Sequence, residues 1–254
     1  YRDGDAIFFD EEDWQAHFEL GERSITYSRA RGEADEAYFP LFAERVLLPL
    51  YVLFSDDHTL GMHGSSVVWN DAAWIFAGRP GSGKSTTLRE LLDRGAILVS
   101  DDLSLVDVTG PDVLPGASVV RLRGEAAGWD RAAEYHKLPW RHGKHWYRLR
   151  SDAVAAEPVP LGGIVVLAPD EPAPGVAADF DRVTGQDAFR EAMQHCFDLT
   201  DPPEDWSRRR FRNMATLLRH APVFRYSFHR SPDGVPTHVE PLVDWLDTQN
   251  PTNP

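Results

Sequence analysis

The stretch Ala72-Ala73-Trp74-Ile75-Phe76-Ala77-Gly78-Arg79-Pro80-Gly81-Ser82-Gly83-Lys84-Ser85-Thr86-Thr87-Leu88 decides the fold. Six apolar residues in succession read as a strand buried on both faces. Three glycines and a proline break the run, and Leu88, Leu91 and Leu92 then recur at helical spacing until Gly95, a residue type that often follows a helix C-terminus. Gly78 to Ser85 satisfies G-x-x-x-x-G-K-[ST] at every required position. Between a strand and a helix N-terminus, such a loop turns its backbone N–H groups toward phosphate oxygens and adds the partial positive charge of the helix. The stretch therefore predicts a site for a nucleoside triphosphate, ATP, with Mg²⁺. Gly78, Pro80, Gly81, Ser82 and Gly83 shape the cradle, Lys84 neutralises the β- and γ-phosphates, and the Ser85 hydroxyl takes the metal. The hydroxyls of Thr86 and Thr87 are expected at the α-phosphate.

Upstream, Ser65 to Trp69 reads as a strand, and Asn70-Asp71 as the turn that joins it to Ala72–Ala77 in a hairpin. Downstream, Ala96 to Val99 is a short buried strand that delivers Ser100-Asp101-Asp102 at its carboxyl end, the edge of the sheet at which the loop also lies. One of these carboxylates suits Mg²⁺ and the other suits the proton of an attacking hydroxyl. His63, just before the first strand of the hairpin, is a further candidate.

Those residues carry a resemblance. His63-Gly64, the loop at Gly78, Gly95 and the Asp101-Asp102 pair together resemble the catalytic domain of HPr kinase/phosphorylase, a bacterial protein serine kinase of the phosphoenolpyruvate carboxykinase-like group. The similarity spans roughly His63 to Val108. It implies an α/β, phosphoenolpyruvate carboxykinase-like P-loop fold with a strongly curved mixed sheet. It also implies His63 near the transferred phosphate, Ser85 and Asp101 at the magnesium ion, and Asp102 as the base and a further metal contact. The family's amino-terminal domain and its glycine- and arginine-rich carboxyl-terminal signature have no counterpart here, so phosphorolysis and a hexamer are not carried over. Pro160 to Leu167 and a helical carboxyl end are loosely similar to the shorter lasso-peptide kinases, which phosphorylate a peptide hydroxyl.

The remaining sequence frames this core. The chain has 254 residues, 42% hydrophobic and 26% charged, and a formal net charge of −14. That length suits a single α/β core with appended elements, and the charge opposes nucleic acid and anionic membrane as partners. A single cysteine, Cys196, excludes an internal disulfide and points to the cytoplasm. No signal peptide is read near Tyr1, and no apolar run approaches the roughly 20 residues of a membrane span. Residues 1–60 are expected to form an α/β extension packed on the core, with a helix over Ala37 to Phe54 bending at Pro49. Residues 61–247 are expected to form the kinase core, and 248–254 a frayed tail.

Within the core, residues 121–150 reverse the sign of the chain: eight Arg or Lys stand against Glu125, Asp130 and Glu134. They read as a lid, with Arg121 and Arg123 placed to clamp phosphates or acceptor. Three readings of function follow. The chain phosphorylates a serine hydroxyl of a protein or peptide, or it phosphorylates a small molecule, or it binds nucleotide as a regulatory module without transfer.

Overall fold

The computed structural model describes residues 2–3, 6–11, 14–19, 24–29, 40–41, 43–123, 129–136, 144–169, 172, 176–199, 204–230 and 237–249. The first four strands, β1 (Arg2–Asp3), β2 (Ala6–Glu11), β3 (Trp14–Glu19) and β4 (Ser24–Arg29), pair in chain order as an antiparallel sheet. A π-helical turn over Ala43–Leu47 leads into α1 (Leu48–Ser55). Pro49 lies just past the change from the π-helical turn to α1. It occupies the first turn of α1, where its missing N–H has no intrahelical partner to lose.

The core follows as β5 (Thr59–Trp69), β6 (Ala72–Ala77), α2 (Lys84–Asp93), β7 (Ile97–Ser100), β8 (Leu103–Asp107) and β9 (Asp112–Leu114). Next come β10 (Val119–Arg123), β11 (Ala132–His136), β12 (Lys144–Leu149), β13 (Val159–Pro169) and β14 (Ala178–Val183). The chain closes with α3 (Gly185–Met193), α4 (Glu204–Leu217), β15 (Val223–Phe228) and α5 (Val239–Thr248). Asn70 and Asp71 both have positive φ, 50° and 63°, the geometry of the tight hairpin turn whose twist matches that of its strands.

The large sheet runs β14-β15-β13-β6-β5-β8-β9, with β7 also on β5. It is mixed: β13 is parallel to β6 and β15, whereas β5 is antiparallel to β6, β7 and β8. The first residues of β13 pair with β9, Val159 opposite Val113. The sheet therefore curls until its far strand meets its centre. One face buries Leu88, Leu91 and Leu92 of α2 with Leu242 and Leu246 of α5, and the other buries Ala188 and Ala192 of α3 with Met214 and Leu217 of α4.

Of the segment read as a lid, residues 121–123, 129–136 and 144–150 are described. β10, β12 and β11 make a three-stranded antiparallel sheet, and Val120, Leu122, Trp129, Tyr147 and Leu149 join the core of α2. Apolar side chains alternate with the basic ones along β10, so one face of the strand is core while Arg121 points elsewhere. The side chain of Arg123 lies outside the described residues, as do residues 250–254 of the expected tail. From the first sixty residues, Leu41, Leu47, Leu50 and Leu53 pack with Leu105, Val119, Trp146 and Trp206.

Candidate active site at the phosphate loop

Strand pairing brings the candidate residues to one edge of the sheet. Gly64 of β5 lies opposite Ala77, the last residue of β6 before the loop. On its other side β5 pairs with Leu103 at His63 and with Ser100 at Ser66. Asp101 and Asp102 therefore interrupt what is otherwise one long strand, directly across from Ser65 and Gly64. Gly64 N–H donates to the Asp102 carbonyl at 3.2 Å. With strands about 4.8 Å apart, two strand spacings, about 10 Å, separate the Asp102 backbone from the start of the loop. Beneath the break, Ser66, Ser100 and Ser104 share hydroxyl hydrogen bonds of 2.9, 2.9 and 3.1 Å, so the buried polar groups at the bend are satisfied.

Gly78, Gly81 and Gly83 take φ of 151°, 82° and 99°. A Cβ at Gly78 would stand 2.5 Å from Ser82 Oγ and 3.0 Å from the Leu167 carbonyl oxygen. The loop thus folds back over the end of β13 in a way that a side chain at Gly78 would prevent. Lys84 Nζ donates to the carbonyls of Gly78 at 2.6 Å and Arg79 at 3.2 Å, which holds the ammonium across the loop. Ser82 is only 4% exposed, and its Oγ has no hydrogen-bond partner among the described residues. An orphaned hydroxyl inside a cradle of glycines, beside an ammonium and a helix N-terminus, fits a phosphate. Ser85 and Thr86 open the helix at the same end, Thr86 exposed. Thr87, also expected at the α-phosphate, is fully buried; its N–H donates to the Gly83 carbonyl at 2.8 Å and its hydroxyl meets His238 Nε2 at 3.0 Å.

The two aspartates differ. Asp101 is 7% exposed, with Oδ1 accepting from Ser65 Oγ at 2.8 Å and Oδ2 accepting from Arg121 N–H at 3.0 Å and Arg45 Nη2 at 3.1 Å. Both oxygens are engaged by protein donors. Asp101 thereby ties β5, β10 and the Ala43–Leu47 turn to the break between β7 and β8. Asp102 adopts φ 72°, an uncommon left-handed conformation for a residue with a side chain, and its carboxylate is more open to solvent. Its Oδ2 lies 2.7 Å from Arg45 Nη2 and 3.3 Å from Arg121 Nη2. Arg45 is 5% exposed and lies over the Trp146 ring at 5.0 Å; its guanidinium is raised above its ordinary pKa by both aspartates in spite of burial.

His63 is exposed at this edge, and its backbone N–H donates to the His195 carbonyl at 2.7 Å. His195, just after α3, is 8% exposed. Burial, and then the charge of Lys84, lower its pKa below the usual histidine value, so the ring is neutral at pH 7. On the far side of the loop, His238 stacks on Phe228 with 4.3 Å between ring centroids. Burial lowers its pKa to about 4.

Arg45, His195 and His238 escaped the sequence reading. Each is remote in sequence from the motif and reaches it only through tertiary contacts. For Arg45 a signal existed: a charged pair, Glu44-Arg45, inside an otherwise apolar segment. Buried charge of that kind demands a partner. Among the described residues no three His, Cys, Asp or Glu side chains gather into a metal-binding group, and no helix is long and apolar enough to cross a membrane.

No protein-family model and no curated protein matches the chain. Among solved structures, the Hpr(Ser) kinase/phosphatase from Coxiella burnetii superposes on 74% of this chain and 88% of its own, with 13% sequence identity and a TM-score of 0.40.

Proposed function

We propose that this chain is an ATP- and Mg²⁺-dependent kinase that transfers the γ-phosphoryl group to a serine hydroxyl of a protein or peptide. One observation carries the reading: Asp102, in the break between β7 and β8, lies beside Gly64 of β5, which lies opposite Ala77 of β6, so a carboxylate and the glycine-rich loop stand at one sheet edge. Lys84 and the loop N–H groups would hold the β- and γ-phosphates, and the Ser85 hydroxyl would hold the metal. Mg²⁺ would supply charge neutralisation of the phosphate oxygens. The Asp102 carboxylate takes the proton as the serine oxygen bonds to the γ-phosphorus and the bond to the bridging oxygen of ADP breaks. Asp101 and Arg45 hold Asp102 in place, and Arg121 lies within reach of both the carboxylate and incoming phosphate. His63 stands at the same edge, near the transferred group. The motif resemblance to the serine kinases described above supports a hydroxyl acceptor, and the proposed acceptor makes the protein's partner a polypeptide.

The test is transfer from γ-labelled ATP with Mg²⁺ to a panel of serine peptides, intact proteins and small alcohols. Label on peptides or proteins supports the proposal. Label confined to small alcohols makes the chain a small-molecule kinase. Tight nucleotide binding with no label anywhere makes it a regulatory module.

A further inference from the structure

Beside the first half of the phosphate loop opens a cavity of about 970 Å³, walled by the ends of β13, β14 and β15 and by α3. Arg79, Arg182, Arg190, Arg225 and Arg230 line it. Its carboxylates are Asp181, Asp187 and Glu191, three against five arginines; Glu191 is bound by Arg225 through two hydrogen bonds of 2.9 and 2.6 Å, and Asp187 by Arg190 at 2.9 Å. In a chain of charge −14 this is a local excess of positive charge, and it attracts anionic groups. His195 lines the same cavity and is near enough to Lys84 and His63 for their charges to act on it. The cavity therefore adjoins the end of the loop where Lys84 and His63 stand.

A second cavity of about 910 Å³ lies between α3 and α4. Its walls are apolar: Phe189, Met193, Ala215 and Phe211, which is 60% exposed and packs on Phe189 with ring centroids 4.6 Å apart. Arg190 and Gln194 line both cavities, so the two adjoin along α3. Each alone is near the upper size of a small-molecule pocket. Together they line a trough along α3, basic at one end and apolar at the other, that suits a polypeptide segment.

We propose that this trough binds the phosphoryl acceptor as an extended acidic peptide segment, with its carboxylates among the arginines and an apolar side chain against Phe189, Met193 and Phe211. The proposal rests on the kinase reading for its outcome but not for its binding. Charge complementarity selects acidic over basic segments, and the exposed phenylalanine supplies an anchor of the kind that dominates peptide binding.

The experiment measures binding of fluorescent twelve-residue serine peptides by anisotropy, and transfer of label to them separately. One set carries glutamates and a leucine at varied positions, a second replaces leucine by alanine, and a third replaces glutamate by lysine. The leucine–glutamate set is expected to bind about tenfold tighter than either of the others. Arg182→Glu lowers affinity for both acidic sets about tenfold. Phe211→Ser lowers it only for the leucine set, and Arg208→Glu, on the exposed face of α4, changes nothing. Thermal unfolding of each variant separates misfolding from lost contacts. Selective binding without label on any peptide sustains the trough and sinks the kinase reading. Label on peptides whose affinity ignores glutamate, leucine, Arg182 and Phe211 sustains the kinase reading and sinks the trough.

Discussion

Arg45 Nη2 stands 2.7 Å from Asp102 Oδ2, joining the strand break beside the glycine-rich loop to a helical turn far upstream in the chain. The same nitrogen lies 3.1 Å from Asp101. A single guanidinium thus serves two adjacent carboxylates that would otherwise repel each other. The helical turn over Ala43–Leu47 is tied to the break between β7 and β8 through this contact.

Arg45→Met should lower the free energy of unfolding by about 3–5 kcal/mol, since it leaves Asp101 buried without its cation. Adding Asp101→Asn should recover part of the loss, a coupling that a double-mutant cycle in urea reads directly. If Arg45→Met unfolds within about 0.5 kcal/mol of the native chain, the pair is not the fastener described here.

Gly64→Ala should cost about 1–3 kcal/mol. The new Cβ would stand 2.7 Å from the Phe76 carbonyl oxygen, a backbone atom of the neighbouring strand. Because β6 carries the loop, nucleotide affinity should fall with stability. Calorimetric titration of the folded variant tests this, and unchanged affinity would separate the sheet edge from the site.

Lys84→Ala and Asp102→Asn should fail in different ways. Removing the ammonium deletes charge-assisted contacts to phosphate worth about 1.5–3 kcal/mol, or roughly 10- to 100-fold in affinity for Mg·ATP. Asp102→Asn should leave affinity within a few-fold and reduce transfer about 10²- to 10⁴-fold. Equal losses of binding in both variants would count against the division of roles.

Acid should destabilise the fold through His238. Burial lowers its pKa to about 4 from the ordinary 6.5, against a small opposing pull from Glu90. The unfolded chain then binds more protons between those values. This contribution is complete above about pH 6.5 and is lost as pH falls toward 4, by up to about 3 kcal/mol. His195 shifts in the same direction. His238→Gln should flatten the stability profile in that window, and an unchanged slope would place the titration elsewhere.

The strand, loop and helix from Ala72 to Asp93 were legible because each depends on local pattern: an unbroken apolar run, glycines where φ is positive, and leucines at helical spacing. The Asn70-Asp71 turn was legible for the same reason. β12 was not, because Lys144 and Arg148 drew attention to its charge. Its burial at Trp146, Tyr147 and Leu149 becomes visible only once β10 and β11 are paired to it. The continuity of β7 and β8 past Asp101-Asp102 was likewise hidden, since it is defined by β5. The Arg45 clamp and the His195–His63 contact depend on residues brought together from distant parts of the chain, and no local spacing encodes them.

The central claim, phosphoryl transfer that depends on Asp102, is tested most directly by incubating native chain and Asp102→Asn with γ-labelled ATP, Mg²⁺ and the serine peptides, with nucleotide affinity measured on the same samples. The account predicts comparable affinity in both and label on peptide with the native chain only. Label appearing equally with both chains, or with neither despite tight nucleotide binding, would contradict it.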